Sequence, residues 1–248
     1  MAGNGKHRRD DLYTRESEML VDFVFDEQVA SVFPDMIRRS VPGYDAIIPL
    51  LGVFAQQYVQ PGSNIYDLGC SLGAATLSIR RRIEKENCRI ISVDNAEAMV
   101  GRCRDNITSD NSATPVDVLC DDILNVEIGN ASLVVINFTL QFLPVESRDK
   151  LLTTIFNGLN SGGALVLSEK VINPDQSQQV FYENLHAGFK KANGYSELEI
   201  SQKRSALENV LVPETEACHL QRLHAAGFGL VSTWFQCFNF MSFCAVKS

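Results

Sequence analysis

The sequence predicts an α/β fold built on a doubly wound, mostly parallel sheet of seven strands, and three observations carry that prediction. Strand-sized apolar runs rich in Val, Ile and Leu recur at 64–68, 89–93, 116–120, 133–137 and 164–168. They are predominantly apolar, as strands covered on both faces are, and helix-like stretches separate them. The chain then closes with two further strand-like runs joined by only Phe238-Asn239, a link short enough to favour an antiparallel hairpin.

Each element follows from local pattern. Residues 1–18 are polar, with Lys6-His7-Arg8-Arg9 countered at once by Asp10-Asp11. They read as a flexible tail ahead of a single domain over 19–248, either a basic arm or a frayed terminus whose charges cancel. From Phe23 to Tyr44, an aromatic-bearing segment (Phe23, Phe25, Phe33) is punctuated by Pro34 and Pro42-Gly43, which predicts short helices and a turn against the main domain. Ala46 to Val59 carries Ile47, Leu51, Ala55 and Tyr58 at helical spacing, and Pro61-Gly62 stops it. Ala75, Ile79 and Ile83 mark a helix after the first strand. Leu151, Leu152, Ile155, Phe156 and Leu159 mark another, stopped by Asn160-Ser161-Gly162-Gly163 before the fifth strand. Between about 173 and 213 two polar helices replace a strand–helix unit, the second opened by a capping box over Ser196-Glu197-Leu198-Glu199. A last helix over 215–226 ends at Gly227, and the hairpin strands occupy 229–236 and 240–247.

Composition narrows the function classes. The chain has 248 residues, 45% of them hydrophobic, and a net charge of −8, so it advertises no broad basic surface. Nucleic-acid binders draw much of their affinity from phosphate neutralisation, and direct RNA or DNA binding is disfavoured here. The seven cysteines are scattered and never form a CxxC pair, which fits thiols in a reducing, cytoplasmic compartment. His7, His186, His219 and His224 lack metal-ligand spacing, so no metal is expected. No apolar run approaches the length of a membrane span, and the N-terminal residues show no signal-peptide core.

In such a sheet the ligand sits at the C-terminal strand ends, where strand order reverses. Polar residues stand there: Asp67 to Gly73, Asp94-Asn95, Asp121-Asp122-Ile123 and Asn137. Gly69 and Gly73 allow a tight turn and close backbone approach. Asp94 has acceptor capacity for both hydroxyls of a ribose. Asp122 could accept from an adenine amino group while Ile123 packs the ring, and Asn137 could satisfy an amino-acid moiety. A dinucleotide site wants GxGxxG at this turn. Gly69-Cys70-Ser71-Leu72-Gly73 lacks the middle glycine, and the Asp67 charge suits a cationic amino-acid ligand better than a pyrophosphate.

Asp-x-Gly-x-x-x-Gly followed by an acid ending the second strand resembles the class I S-adenosylmethionine-dependent methyltransferases, though Ser71 stands where a third glycine is common. Longer stretches are similar to the carboxy-S-adenosyl-L-methionine synthases. They include Val32-Phe33-Pro34-Asp35-Met36-Ile37, the run Tyr66 to Ser78, Asn137 to Leu143, Gly163 to Lys170, Lys191 to Ser205 and Trp234 to Phe240. That resemblance implies conversion of S-adenosyl-L-methionine and prephenate into carboxy-S-adenosyl-L-methionine and phenylpyruvate. It implies a homodimer whose product feeds a downstream enzyme that carboxymethylates a tRNA wobble uridine. It further implies that Tyr44 contacts the ligand, that Gly69, Cys70 and Ser71 line its amino-acid end, and that Asp94 and Asn95 hold the ribose. Asp122 and Ile123 would hold the adenine, Asn137 the amino-acid or sulfonium region, and Arg204, from the neighbouring subunit, the added carboxylate. A guanidinium offers a carboxylate two parallel N–H bonds, which methyl transfer would not need. No side chain is expected as base, since the departing prephenate hydroxyl would take the methyl proton, and Cys70 is expected to contribute backbone contact, not a nucleophile. Methyl transfer to a small molecule and non-catalytic ligand presentation remain as alternatives.

Overall fold

The computed structural model describes residues 8–12, 24–208 and 210–248. Phe23 and most of the expected N-terminal tail lie outside them. The chain opens with α1 (Glu27–Ser40) and α2 (Tyr44–Tyr58). Next come β1 (Asn64–Leu68), α3 (Ala74–Arg80), β2 (Arg89–Asp94), α4 (Glu97–Thr108), β3 (Val116–Cys120) and β4 (Ala131–Asn137). A 3-10 turn (Leu140–Phe142) precedes α5 (Val145–Gly158) and the long β5 (Leu159–Ile172). The helical insertion is α6 (Gln176–Ala192) and α7 (Glu197–Glu208). Then follow β6 (Glu214–Thr215), α8 (Glu216–Ala226), β7 (Leu230–Cys237) and β8 (Phe240–Val246).

The strand order is β3-β2-β1-β4-β5-β8-β7, with the two-residue β6 added beside β5. Strands β1 to β5 pair in parallel, whereas β8 pairs antiparallel with both β5 and β7. Order reverses between β1 and β4, which makes their C-terminal ends the switch point. Successive residues alternate between the two sheet faces. Ile65, Ile90, Leu133, Val135 and Val166 pack with α2 and α3, while Tyr66, Val134, Ile136 and Leu165 pack with α5 and α8.

Two expectations need correction. Pro34 does not divide the first segment into short helices, because α1 runs through it. Burial of Val29, Ala30, Val32 and Met36, packed around Met99, outweighs the one backbone hydrogen bond that proline removes. Asp10 is not a solvated tail residue. It is 2% exposed and receives Lys203 Nζ at 2.5 Å, with Tyr195 donating a second hydrogen bond. Burial works to raise this carboxyl, but the Lys203 ammonium and these hydrogen bonds hold it below the usual range. The capping box forms as read: Ser196 N donates to Glu199 Oε2 at 2.7 Å, and Glu199 N donates to Ser196 Oγ at 3.2 Å.

Candidate active site

The C-terminal ends of β1 to β4 open into a cavity of about 590 Å³, and all ten expected site residues line it. At the β1–α3 turn, Gly69 has φ +85° and Gly73 φ +83°. A Cβ on Gly69 would stand 2.1 Å from Thr139 Oγ1, so only glycine fits beneath that loop. Ser71 and Phe138 hold left-handed backbone at φ +50° and +60°, strain that marks both loops facing the cavity.

Asp94 secures this turn. Its Oδ2 accepts from Ser71 N at 2.9 Å and its Oδ1 from Ala96 N at 3.0 Å. Each oxygen keeps a lone pair, so a diol remains within its capacity. Asp122 accepts from Leu124 N at 2.9 Å, and Ile123 is buried beside it. Asp67 is fully enclosed, and Thr76 Oγ1 donates to its Oδ2 at 2.5 Å. Its Oδ1 has no hydrogen-bond partner, and neither has Asn137 Oδ1. Two orphaned acceptors on neighbouring strand ends fit a ligand that brings donors and positive charge, as the ammonium end of S-adenosylmethionine does. Burial lifts Asp67 to about 6 despite the lowering hydrogen bonds from Thr76.

Cys70 is buried, and the Cys103 thiol, burial and the charge of Asp67 push its own thiol well above the usual range. A thiol held protonated is no nucleophile. Tyr44 enters from the start of α2, its hydroxyl also raised by burial and then by Asp67. Below the loop, Glu169 accepts from Leu140 N and Gln141 N, both at 3.0 Å, and so fixes the backbone that follows Asn137. Burial carries Glu169 to about 8 against the lowering influence of Arg148.

A methyltransferase-domain family profile matches residues 65–163. The carboxy-S-adenosyl-L-methionine synthase of Shewanella oneidensis is 59% identical over 239 residues, covering 96% of this chain and 98% of that protein. The Shewanella putrefaciens synthase shows the same identity and coverage. The chain belongs to the carboxy-S-adenosyl-L-methionine synthase family.

Solved structures share the synthase fold at larger evolutionary distance. An O-methyltransferase family protein from Burkholderia thailandensis matches with a TM-score of 0.65 at 18% identity, over 90% of this chain and 61% of that one. Human N-acetylserotonin methyltransferase in complex with S-adenosylmethionine matches with 0.60 at 14% identity, over 90% and 55%. The chain thus spans little more than half the length of these two, and they establish the class I methyltransferase fold. Within the synthase cavity the ten residues come from a single chain, including Arg204 on α7, which the resemblance assigns to a neighbouring subunit. Reading the sequence missed a further set, namely Lys170 on β5 and Glu183, His186 and Lys190 on α6. Their three- and four-residue spacing on α6 was the available signal, but a polar helical face reads by default as solvated.

Proposed function

We propose that the protein carboxylates the methyl carbon of S-adenosyl-L-methionine at the expense of prephenate, giving carboxy-S-adenosyl-L-methionine, phenylpyruvate and water. The observation that carries this reading is a cavity with two electrostatic ends. Asp67, Asp94 and Asp122 stand at one, and Arg204 stands among further cations at the other. The acidic end suits a substrate with ammonium and sulfonium charges. The basic end suits carboxylates, which a simple methyl transfer neither consumes nor creates.

The sulfonium acidifies its methyl hydrogens. The balance is closed when prephenate loses carbon dioxide and its ring hydroxide. The hydroxide leaves as water with the methyl proton, and the methyl carbon forms its new bond to carbon dioxide. The chain's own residues position and enclose these groups. Tyr44, Gly69, Cys70, Ser71 and Asn137 would hold the amino-acid end, Asp94 and Asn95 the ribose, Asp122 and Ile123 the adenine, and Arg204 the new carboxylate.

Incubation with both substrates, followed by mass spectrometry, is expected to yield a nucleoside heavier by one carbon dioxide. Formation of S-adenosylhomocysteine without need for prephenate would overturn the reading in favour of methyl transfer. Arg204→Ala is expected to weaken binding of the carboxylated product about 10- to 100-fold, the loss of a charged hydrogen-bonded pair, and to spare S-adenosylmethionine.

The exposed apolar side chains Val180 and Phe181 on α6 and Leu198 on α7 support a homodimer formed through the insertion. Seven free cysteines support a cytoplasmic setting. No helix among the described residues is long and apolar enough to cross a membrane. The product would serve as carboxymethyl donor to the tRNA wobble-uridine enzyme.

A further inference from the structure

The basic end of the cavity holds more positive charge than one new carboxylate requires. Lys170, two residues before the end of β5, and Lys190 on α6 line it together with Lys203 and Arg204 of α7. Lys203 is already matched to Asp10. Among the described residues, the ammonium groups of Lys170 and Lys190 take part in none of the hydrogen bonds or ion pairs found. Glu183 attracts Lys170 only from beyond ion-pair distance. Among the described residues, no acid offsets Lys190. Burial, then Lys170, Lys203 and Arg204, push it down to about 7.

His186 adds no charge. Its Nε2 lies 2.8 Å from the Ser40 carbonyl oxygen, which fixes the proton on Nε2 and leaves Nδ1 as an acceptor. Burial and the nearby lysines push its value to about 3, so the ring stays neutral.

A buried lysine that no described acid offsets, beside a part-buried one that Glu183 offsets only from a distance, is costly to a fold unless a ligand supplies the anions. We propose that Lys170 and Lys190 form an anion subsite that anchors the carboxyl donor as a dicarboxylate, leaving Arg204 for the carboxylate formed on the nucleoside. The inference rests on the proposed carboxylation and adds the place of its second substrate. Two lysines beside a neutral imidazole acceptor select a dianion that also carries a hydroxyl, and prephenate has both.

The test combines steady-state kinetics with calorimetric titration of prephenate and of S-adenosylmethionine, using the full chain and the variants Lys170→Met, Lys190→Met and Lys190→Arg. Each methionine variant is expected to raise the prephenate KM about 10- to 100-fold, the usual effect of losing a charged hydrogen bond, with S-adenosylmethionine affinity unchanged. Lys190→Arg is expected to recover most of the loss. Lys190→Met should melt at or above the parent temperature, because it removes a buried charge that no described acid offsets. Product formation with a prephenate KM unmoved in both methionine variants overturns the subsite and keeps the reaction. A parent protein that binds prephenate through Lys190 but makes no carboxylated nucleoside overturns the reaction and keeps the subsite. Equal losses for prephenate and S-adenosylmethionine, or calorimetry showing no prephenate binding to the parent in the presence of S-adenosylmethionine, overturn the subsite.

Discussion

Asp67 concentrates the trade between stability and binding into one carboxylate. Its raised value of about 6, against an ordinary 3.8, means that the folded state resists its ionisation. For a carboxyl raised on folding, the contribution to stability is fully present below the ordinary value and is lost as pH rises through the folded one. At neutral pH the buried charge therefore weakens the fold, a cost that a cationic ligand would offset. Asp67→Asn keeps an acceptor for Thr76 and removes the charge. It is expected to melt no lower than the parent at pH 7 and to bind S-adenosylmethionine at least tenfold more weakly, roughly the loss of one charged hydrogen bond. Calorimetry across pH should show parent affinity falling below about pH 6, where Asp67 gains its proton, and a flatter profile for the variant. Asp67, Asp94 and Asp122 were legible in the sequence because each interrupts an apolar run where a strand ends. Lys170 was not, because β5 continues past it to Ile172 and the residue stands inside a strand.

The insertion helices show how an element can place chemistry without resembling a site. Helix α7 begins at a reciprocal cap and carries both Lys203 and Arg204 to the cavity. Ser196→Ala removes the cap and is expected to cost about 0.5–2 kcal/mol, measured by denaturant unfolding. Turnover at low prephenate should fall more than turnover at saturation, since the helix serves the basic end. The cap was readable from four residues. The inward direction of the α6 polar face was not, because periodicity gives the angle between side chains and leaves open which face meets the protein. In α1, the buried apolar set decided continuity against the proline signal. The central strands β1, β4 and β5 were easiest to read, because burial on both faces favours apolar residues along most of their length.

For the whole molecule, the net charge and the charge of the cavity's basic end have opposite signs. A chain of −8 overall encloses a cluster of lysines and an arginine whose countercharge comes in part from sequence-distant residues. Asp10 supplies it for Lys203, while Arg39 Nε reaches the Asn193 carbonyl at 2.7 Å and its guanidinium lies 3.8 Å from the centre of the Tyr195 ring. Asp10→Asn would leave Lys203 enclosed without its anion, and a loss of about 3–5 kcal/mol in unfolding free energy is expected. The same variant should lose carboxylated-nucleoside formation at temperatures where the parent is still active.

The Asp10–Lys203 pair also orders events during synthesis. The two residues are 193 positions apart, so Asp10 emerges from the ribosome about 10 to 40 s before its lysine at ordinary elongation rates. Strands β1 to β4, and with them the acidic end of the cavity, have left the tunnel by then. The basic end is therefore the last to meet its countercharge, and Asp10 waits through most of synthesis for the lysine it neutralises.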